Sequence, residues 1–237
     1  MDKKLKLLIS IVFLAFLSLF LYQNSGYKDW LLISIHKLAP ELSSSWLGKK
    51  EIGNPRYTFF EVFTPQVDVV MVGDSLTEYA LWNEIFPDIK IANRGVAGDT
   101  TSDIEGRLGP IYALNSKKAF LMMGTNDVLL GRSLQEVYAS YLRIVDQLQQ
   151  HHITPYIQST LECHIAKCGK GLEKIRTLNQ KLQNFAKVNG IAYIDVNRNL
   201  VSAQEGLLLK YTPDGIHLNG NGYFVWAQNI AYQIKSQ

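Results

Sequence analysis

Val67-Asp68-Val69-Val70-Met71-Val72-Gly73-Asp74-Ser75-Leu76-Thr77 is the stretch on which the fold is read. Val67, Val69, Val70, Met71 and Val72 form a short, mostly β-branched apolar run, the pattern of a strand buried on both faces. The run stops at Gly73-Asp74-Ser75. In open α/β folds ligands bind at the carboxyl ends of the strands, so a hydroxyl placed there is a candidate nucleophile. Gly-Asp-Ser is also ordinary turn chemistry, and Ser75 needs partners from elsewhere in the chain to mean more than that.

Composition sets outer bounds. The chain has 237 residues, 47% of them hydrophobic and 19% charged, enough for one globular domain with an appendage. Lys3, Lys4 and Lys6 against Asp2 account for +2 of the net charge of +3. What remains is too nearly neutral for the basic patch that nucleic-acid binding requires, so no nucleic-acid partner is expected. The lysines instead precede Leu7 to Tyr22, an apolar run interrupted only by two serines. Such a run enters a membrane, and its length falls between a signal-peptide core and a spanning helix. No small-x-small cleavage pattern follows in Gln23-Asn24-Ser25-Gly26. We therefore expect residues 1–22 to be an uncleaved single-pass anchor in a bacterial-type inner or plasma membrane. The rest of the chain would then lie outside the cytoplasm, or be secreted if the segment is removed.

Residues 23–66 read as a connecting region with short helices. Asp29 caps one candidate helix carrying Trp30, Leu31, Ile35 and Leu38 and ended by Pro40. Glu41 to Lys50 reads as a linker, and Arg56 to Phe63 places Phe59, Phe60 and Phe63 on one helical face, expected to pack in the core. From Val67 onward, strand and helix patterns alternate, the signature of a parallel sheet covered on both faces. Further strands are expected at Ile89 to Ala92, Ala119 to Met123, Tyr156 to Ser159 and Ile191 to Ile194. Helical patterns cover Thr101 to Leu108, Ser133 to Gln150, Leu172 to Asn189 and Gly222 to Ile234, and Ser133 with Glu136 forms a capping box.

A serine hydroxyl needs a base to take its proton and a third group to orient that base. Of the five histidines only His217 has a carboxylate at a helix-like offset, Asp214, within Pro213-Asp214-Gly215-Ile216-His217. That segment follows the fifth strand and precedes the last helix, although it also has the composition of a capped turn. Two more segments end strands with glycine and polar residues: Asn93 to Thr101, and Gly124-Thr125-Asn126-Asp127. Glycine admits close approach of backbone to a ligand, and an amide side chain can donate to a developing oxyanion.

Together Gly73-Asp74-Ser75-Leu76, Ala97-Gly98-Asp99-Thr100, Gly124-Thr125-Asn126-Asp127 and Asp214-Gly215-Ile216-His217 resemble the four blocks of the SGNH, or GDSL, hydrolases, in that family's order. The similarity runs from Val67 to the C-terminus. Gly98-Asp99-Thr100-Thr101 and His217 to Tyr223 bring it nearest the branch that includes platelet-activating-factor acetylhydrolase catalytic subunits. The resemblance implies a flavodoxin-like three-layer α/β/α domain over residues 67–237 with a five-stranded parallel sheet. It also implies Ser75 as nucleophile, His217 as base and Asp214 as its orienting partner. The oxyanion hole would be the Ser75 and Gly98 N–H groups with the Asn126 side chain.

The expected activity is an extracytoplasmic serine esterase removing a short acyl group, most simply acetyl, from an envelope glycan or similar ester. Alternatives are a lysophospholipase or thioesterase for longer chains, an O-acyltransferase with the same triad, and a non-catalytic envelope-binding domain on this fold. No cofactor and no metal is expected, because the Cys and His spacings assemble no four-ligand site. Cys163 and Cys168, the only cysteines, bracket His164-Ile165-Ala166-Lys167 after the fourth strand. An even, closely spaced pair outside the cytoplasm is expected to form a bridge. This insertion and the N-terminal anchor are the departures from the family pattern, and neither falls within the four blocks.

Overall fold

The computed structural model describes residues 54–236. The expectations for the membrane segment at 7–22, the helix after Asp29 and the linker at 41–50 lie outside the described residues. Within them, no helix is long and apolar enough to cross a membrane.

The chain runs through α1 (Pro55–Val62), β1 (Val69–Gly73), α2 (Ser75–Glu78), α3 (Trp82–Ile85), β2 (Ile91–Gly95), α4 (Thr101–Glu105) and α5 (Gly109–Tyr112). It continues with β3 (Lys118–Met122), α6 (Thr125–Leu129), α7 (Leu134–Gln150), β4 (Thr154–Gln158), α8 (Ile165–Cys168), α9 (Gly171–Asn189) and β5 (Ala192–Ile194). A two-stranded antiparallel hairpin, β6 (Val201–Ser202) with β7 (Gly206–Leu207), precedes the last helix, α10 (Gly220–Lys235). The main sheet is parallel with strand order β2-β1-β3-β4-β5.

This order reverses direction at β1, so the crevice between the ends of β1 and β3 is the switch point where such sheets bind ligands. In register, Gly73 lies beside Gly95 on one side and Met122 on the other. Neither glycine leaves room for a side chain. A Cβ on Gly73 would fall 2.3 Å from the Met122 carbonyl oxygen, and one on Gly95 would fall 2.3 Å from the Glu78 nitrogen. The residues after Gly73 are thereby pressed against the neighbouring loops.

Both faces of the sheet are covered, as the uninterrupted apolar run of β1 demands. One face packs Val70, Val72 and Leu121 against Tyr141, Ile144 and Leu148 of α7 and Leu178 and Leu182 of α9. The other packs Met71, Phe120 and Met122 against Leu76, Trp82 and the α10 residues Trp226 and Ile230. Trp82 and Trp226 meet edge to face at 5.2 Å, and the Trp226 indole N–H donates to Gln158 Oε1 at 2.7 Å.

Two expectations need correction, and one element was not expected. The helical pattern over Thr101 to Leu108 is broken at Gly106, giving α4 and then α5 from Gly109. The β6–β7 hairpin has no counterpart in the periodicity, since strands of two residues carry no detectable alternation. The three phenylalanines near α1 do not share a core face. Only Phe60 is buried, beneath the Arg94 guanidinium at 4.4 Å. Phe59 and Phe63 stack on each other at 4.4 Å and remain about half exposed. The compact unit begins at Arg56, so α1 from that residue onward packs as part of it.

Candidate active site

Ser75 opens α2 directly after β1, with Asp74 as the capping residue whose Oδ1 accepts from the Leu76 N–H at 3.0 Å. The serine is buried to 7% exposure. Its Oγ lies 2.9 Å from His217 Nε2, although the two residues are 142 apart in sequence. His217 Nδ1 in turn lies 2.7 Å from Asp214 Oδ2. The other Asp214 oxygen accepts the backbone N–H groups of Ile216 and His217, both at 2.8 Å. Desolvation opposes ionisation of Asp214, but the His217 ring, those two N–H donors and the attraction of His217 outweigh it and pull its pKa down to about 2. A carboxylate ionised across the neutral range fixes the imidazole with Nδ1 as donor, leaving Nε2 to accept the serine proton. Tyr79 lies against the same ring, 5.4 Å between centroids.

The other expected residues reach the same edge of the sheet from two more loops. Gly98, after β2, takes φ +81, a left-handed conformation that selects glycine even though a Cβ there would meet nothing. Asn126, in the first turn of α6, donates one of its two Nδ2 hydrogens to the Asp99 carbonyl oxygen at 2.9 Å. Asp99 therefore links Gly98, its chain neighbour, to Asn126. Gly124, which precedes α6, has φ +112 and positions that turn.

Residues to which the sequence reading gave no role of their own hold this arrangement together. The Asp99 carboxylate is buried and accepts from Tyr57 Oη at 2.6 Å and Arg107 Nε at 2.7 Å. Arg107 also donates through Nη2 to the Gly73 carbonyl oxygen at 3.0 Å, beside the nucleophile turn. Burial, then the hydrogen bond to Asp99, raise the Tyr57 pKa and keep the phenol a donor. Asp127 accepts from the Thr101 N–H at 2.8 Å and the Thr101 hydroxyl at 2.9 Å, tying α6 to α4. None of these pairings has a local signal, because the partners lie 8 to 42 residues apart. Asp74 completes the set. Burial first, then the nearby charges of Asp99 and Asp127, push its pKa up to about 7 against the Leu76 hydrogen bond. Its Oδ2 has no hydrogen-bond partner.

Cys163 and Cys168 are joined in the structure. The loop they close touches the Asp214 segment: the His164 N–H donates to the Gly215 carbonyl oxygen at 2.7 Å. A Cβ on Gly215 would fall 2.7 Å from Lys167 Cγ. Among the described residues no cluster of three or more His, Cys, Asp or Glu side chains is placed to hold a metal ion.

A buried serine at the end of a parallel strand, a histidine on its hydroxyl and a carboxylate on that histidine define the constellation of a serine hydrolase on an open α/β sheet. The chain belongs to the GDSL-like lipase/acylhydrolase family, whose family model matches residues 71–224, and is an ester hydrolase of that type. It is similar to human platelet-activating factor acetylhydrolase IB subunit alpha2, 25% identical over 167 residues, covering 66% of this chain and 71% of that protein. Among solved structures, a GDSL-like lipase from Bacteroides thetaiotaomicron matches with a TM-score of 0.68 at 23% identity, covering 76% of this chain and 96% of the other. An acetylxylan esterase from Geobacillus stearothermophilus matches with a TM-score of 0.60 at 14% identity, covering 73% and 97%. At these identities the structural matches speak for the fold.

Proposed function

We propose that the protein is a Ser75-His217-Asp214 esterase working outside the cytoplasm, which removes a short acyl group, most simply acetyl, from an ester of the cell envelope. The observation that carries the reading is the unbroken relay from Ser75 Oγ through both nitrogens of His217 to Asp214. Ser75 Oγ attacks the ester carbonyl carbon while His217 Nε2 takes its proton. The carbonyl oxygen becomes an oxyanion, stabilised by the Ser75 and Gly98 N–H groups and the second Nδ2 hydrogen of Asn126. The intermediate collapses as His217 returns the proton to the departing alcohol oxygen. Water, deprotonated by His217, then releases the acid and restores Ser75.

Two relatives support the acetyl assignment by what their names say they cleave, an acetylhydrolase and an acetylxylan esterase. The lysine-flanked apolar run at 7–22 and the joined cysteines support a membrane-anchored domain facing an oxidising compartment. The test is hydrolysis of p-nitrophenyl esters from acetyl to octanoyl by the full chain. Release of p-nitrophenol from the acetyl ester is expected. Failure with every ester would defeat the reading.

A further inference from the structure

Beside the nucleophile, α2 carries a carboxylate that the triad does not use. Glu78 stands three residues after Ser75 in a single helical turn, closed by the Glu78 N–H on the Asp74 carbonyl oxygen at 2.9 Å. Its side chain leaves α2 for the loop after β2, where Oε2 accepts the Ala97 N–H at 2.5 Å. Ala97 is the second residue of a four-residue turn, Val96 to Asp99, closed by the Asp99 N–H on the Val96 carbonyl oxygen at 3.1 Å. Gly98 holds the third position at φ +81, the left-handed conformation that a type II turn requires there. The peptide unit that carries the Gly98 N–H therefore follows directly on the N–H that Glu78 holds.

A surface ion pair would be the simplest role for such a residue, but the distances rank its partners otherwise. Arg56 Nε lies 3.7 Å from Glu78 Oε1, beyond hydrogen-bonding distance. The arginine donates instead to the Gly95 carbonyl oxygen at 2.8 Å through Nε and to that of Asn93 at 3.3 Å through Nη2. Arg56 and Glu78 thus both hold the segment from Asn93 to Ala97, one by its carbonyls and the other by an N–H. The Glu78 side chain is only 19% exposed, so its charge-assisted bond to Ala97 is largely shielded from water. Of the proposed oxyanion donors, Asn126 is already tied to the Gly98 turn through the Asp99 carbonyl oxygen. Glu78 supplies the corresponding tie from the Ser75 turn. We propose that Glu78 is a positioning residue, which sets the Gly98 N–H at its working distance from the Ser75 N–H. The inference rests on the esterase reading and its oxyanion donors. Glu78 touches no reacting atom in this role, and its effect is felt as the oxyanion forms, so it acts on kcat rather than KM.

Two conservative variants separate reach from charge. Glu78→Gln keeps an acceptor oxygen at the same reach and loses the charge, whereas Glu78→Asp keeps the charge and falls one methylene short of Ala97. With the full chain and p-nitrophenyl acetate, Glu78→Asp and Glu78→Ala should lower kcat about tenfold at unchanged KM, a fraction of what removal of a whole donor costs. Glu78→Gln should stay within about threefold of the wild type, since a neutral acceptor keeps about half the strength of the charged one. Methylboronic acid supplies a second readout. Its boron takes up the Ser75 oxygen to give a tetrahedral anion while His217 takes the hydroxyl proton, and its affinity should fall in each variant by the same factor as kcat. Glu173→Gln, which neutralises the carboxylate paired with Arg176 on α9, should leave both readouts as in the wild type. Wild-type kcat in Glu78→Asp and Glu78→Ala would overturn the proposal. An impaired Glu78→Gln beside an active Glu78→Asp would overturn it in favour of the charge alone. A loss carried by KM, or boronate affinity unchanged where kcat falls, would overturn it as well. Absence of both hydrolysis and boronate binding in the wild type would instead bring down the esterase reading itself.

Discussion

The proposed base of the site is furnished by one short loop and the proposed anion-stabilising donors by three, and the two halves are held by different kinds of bond. Asp214 and His217 are organised within their own segment. Asp214 accepts from the next residues but one and two, and the Thr212 hydroxyl accepts from the Gly215 N–H at 2.8 Å. Their side chains remain 44% and 30% exposed. The donor half depends on contacts between distant segments that converge on the fully buried Asp99: Tyr57 from α1, Arg107 after α4 and Asn126 from α6. A local half tolerates disturbance elsewhere. The buried Asp99 carboxylate loses support when either Tyr57 or Arg107 is removed, whereas Asn126 reaches only the Asp99 backbone carbonyl.

The largest effect should come from the junction of the halves. Ser75→Ala removes the proposed nucleophile, the hydroxyl 2.9 Å from His217 Nε2, and no core volume, so hydrolysis should fall to background while the thermal transition stays put. Near wild-type turnover in this variant would refute the mechanism. Arg107→Met tests the claim about the buried charge. It removes the charged donor from the buried Asp99 carboxylate and one of the two donors on the Gly73 carbonyl, which keeps the Val96 N–H, a loss on the order of 3–5 kcal/mol in unfolding free energy. Chemical denaturation of a variant as stable as the wild type would show that Asp99 does not depend on this arginine. Asn126→Ala should lower kcat by about 10² to 10³ with a smaller change in stability, the loss that follows removal of one oxyanion donor.

The same contrast explains what was legible in the sequence. Buried strands declare themselves by β-branched runs, and α7 by its capping box and apolar periodicity, so the sheet and its long helices were readable. Asp214 and His217 were readable because their partnership is local. The role of Asp99 was not, although it lies inside a recognised block, because its partners are fixed only when β1 and β2 align Gly73 with Gly95 and bring Arg107 over the nucleophile turn. Tyr57 was hidden further, in a helical pattern of the connecting region where only the phenylalanines drew a reading. Phe59 and Phe63 misled because helical spacing reports a shared face without reporting what covers it.

Asp74 sharpens the comparison through pH. Its folded pKa, about 7, stands above the ordinary carboxyl value, so the folded state binds more protons than the unfolded one between roughly pH 4 and 7. Its contribution is therefore fully present below the unfolded pKa and is lost as pH rises through about 7. Asp74→Asn should flatten this dependence and make the variant more stable than the wild type at pH 8. The gain is bounded at about 4 kcal/mol, and the amide's own unpaired N–H takes back part of it. Equal wild-type stability at pH 5 and pH 8, after correction by the variant, would remove Asp74 as the source.

The smallest effect concerns the brace on the local half. The loop closed by Cys163 and Cys168 reaches the Asp214 segment through the His164 N–H on the Gly215 carbonyl, and Gly215 takes φ +86 with its open side filled by Lys167. Replacing both cysteines by serine lets that loop sample other shapes and loosens the contact beside Asp214. A loop this short loses little chain entropy on closure, so the bridge contributes about 2 kcal/mol. For a domain of this size that is about 4 to 8 °C in melting temperature. Turnover should fall only a few-fold, because Asp214 keeps both of its backbone donors. The full chain, exported by its own N-terminus, should present no alkylatable thiol under denaturing, non-reducing conditions. Two alkylatable thiols would refute the bridge. An unchanged melting temperature in the double variant would show instead that the His164–Gly215 contact holds without it.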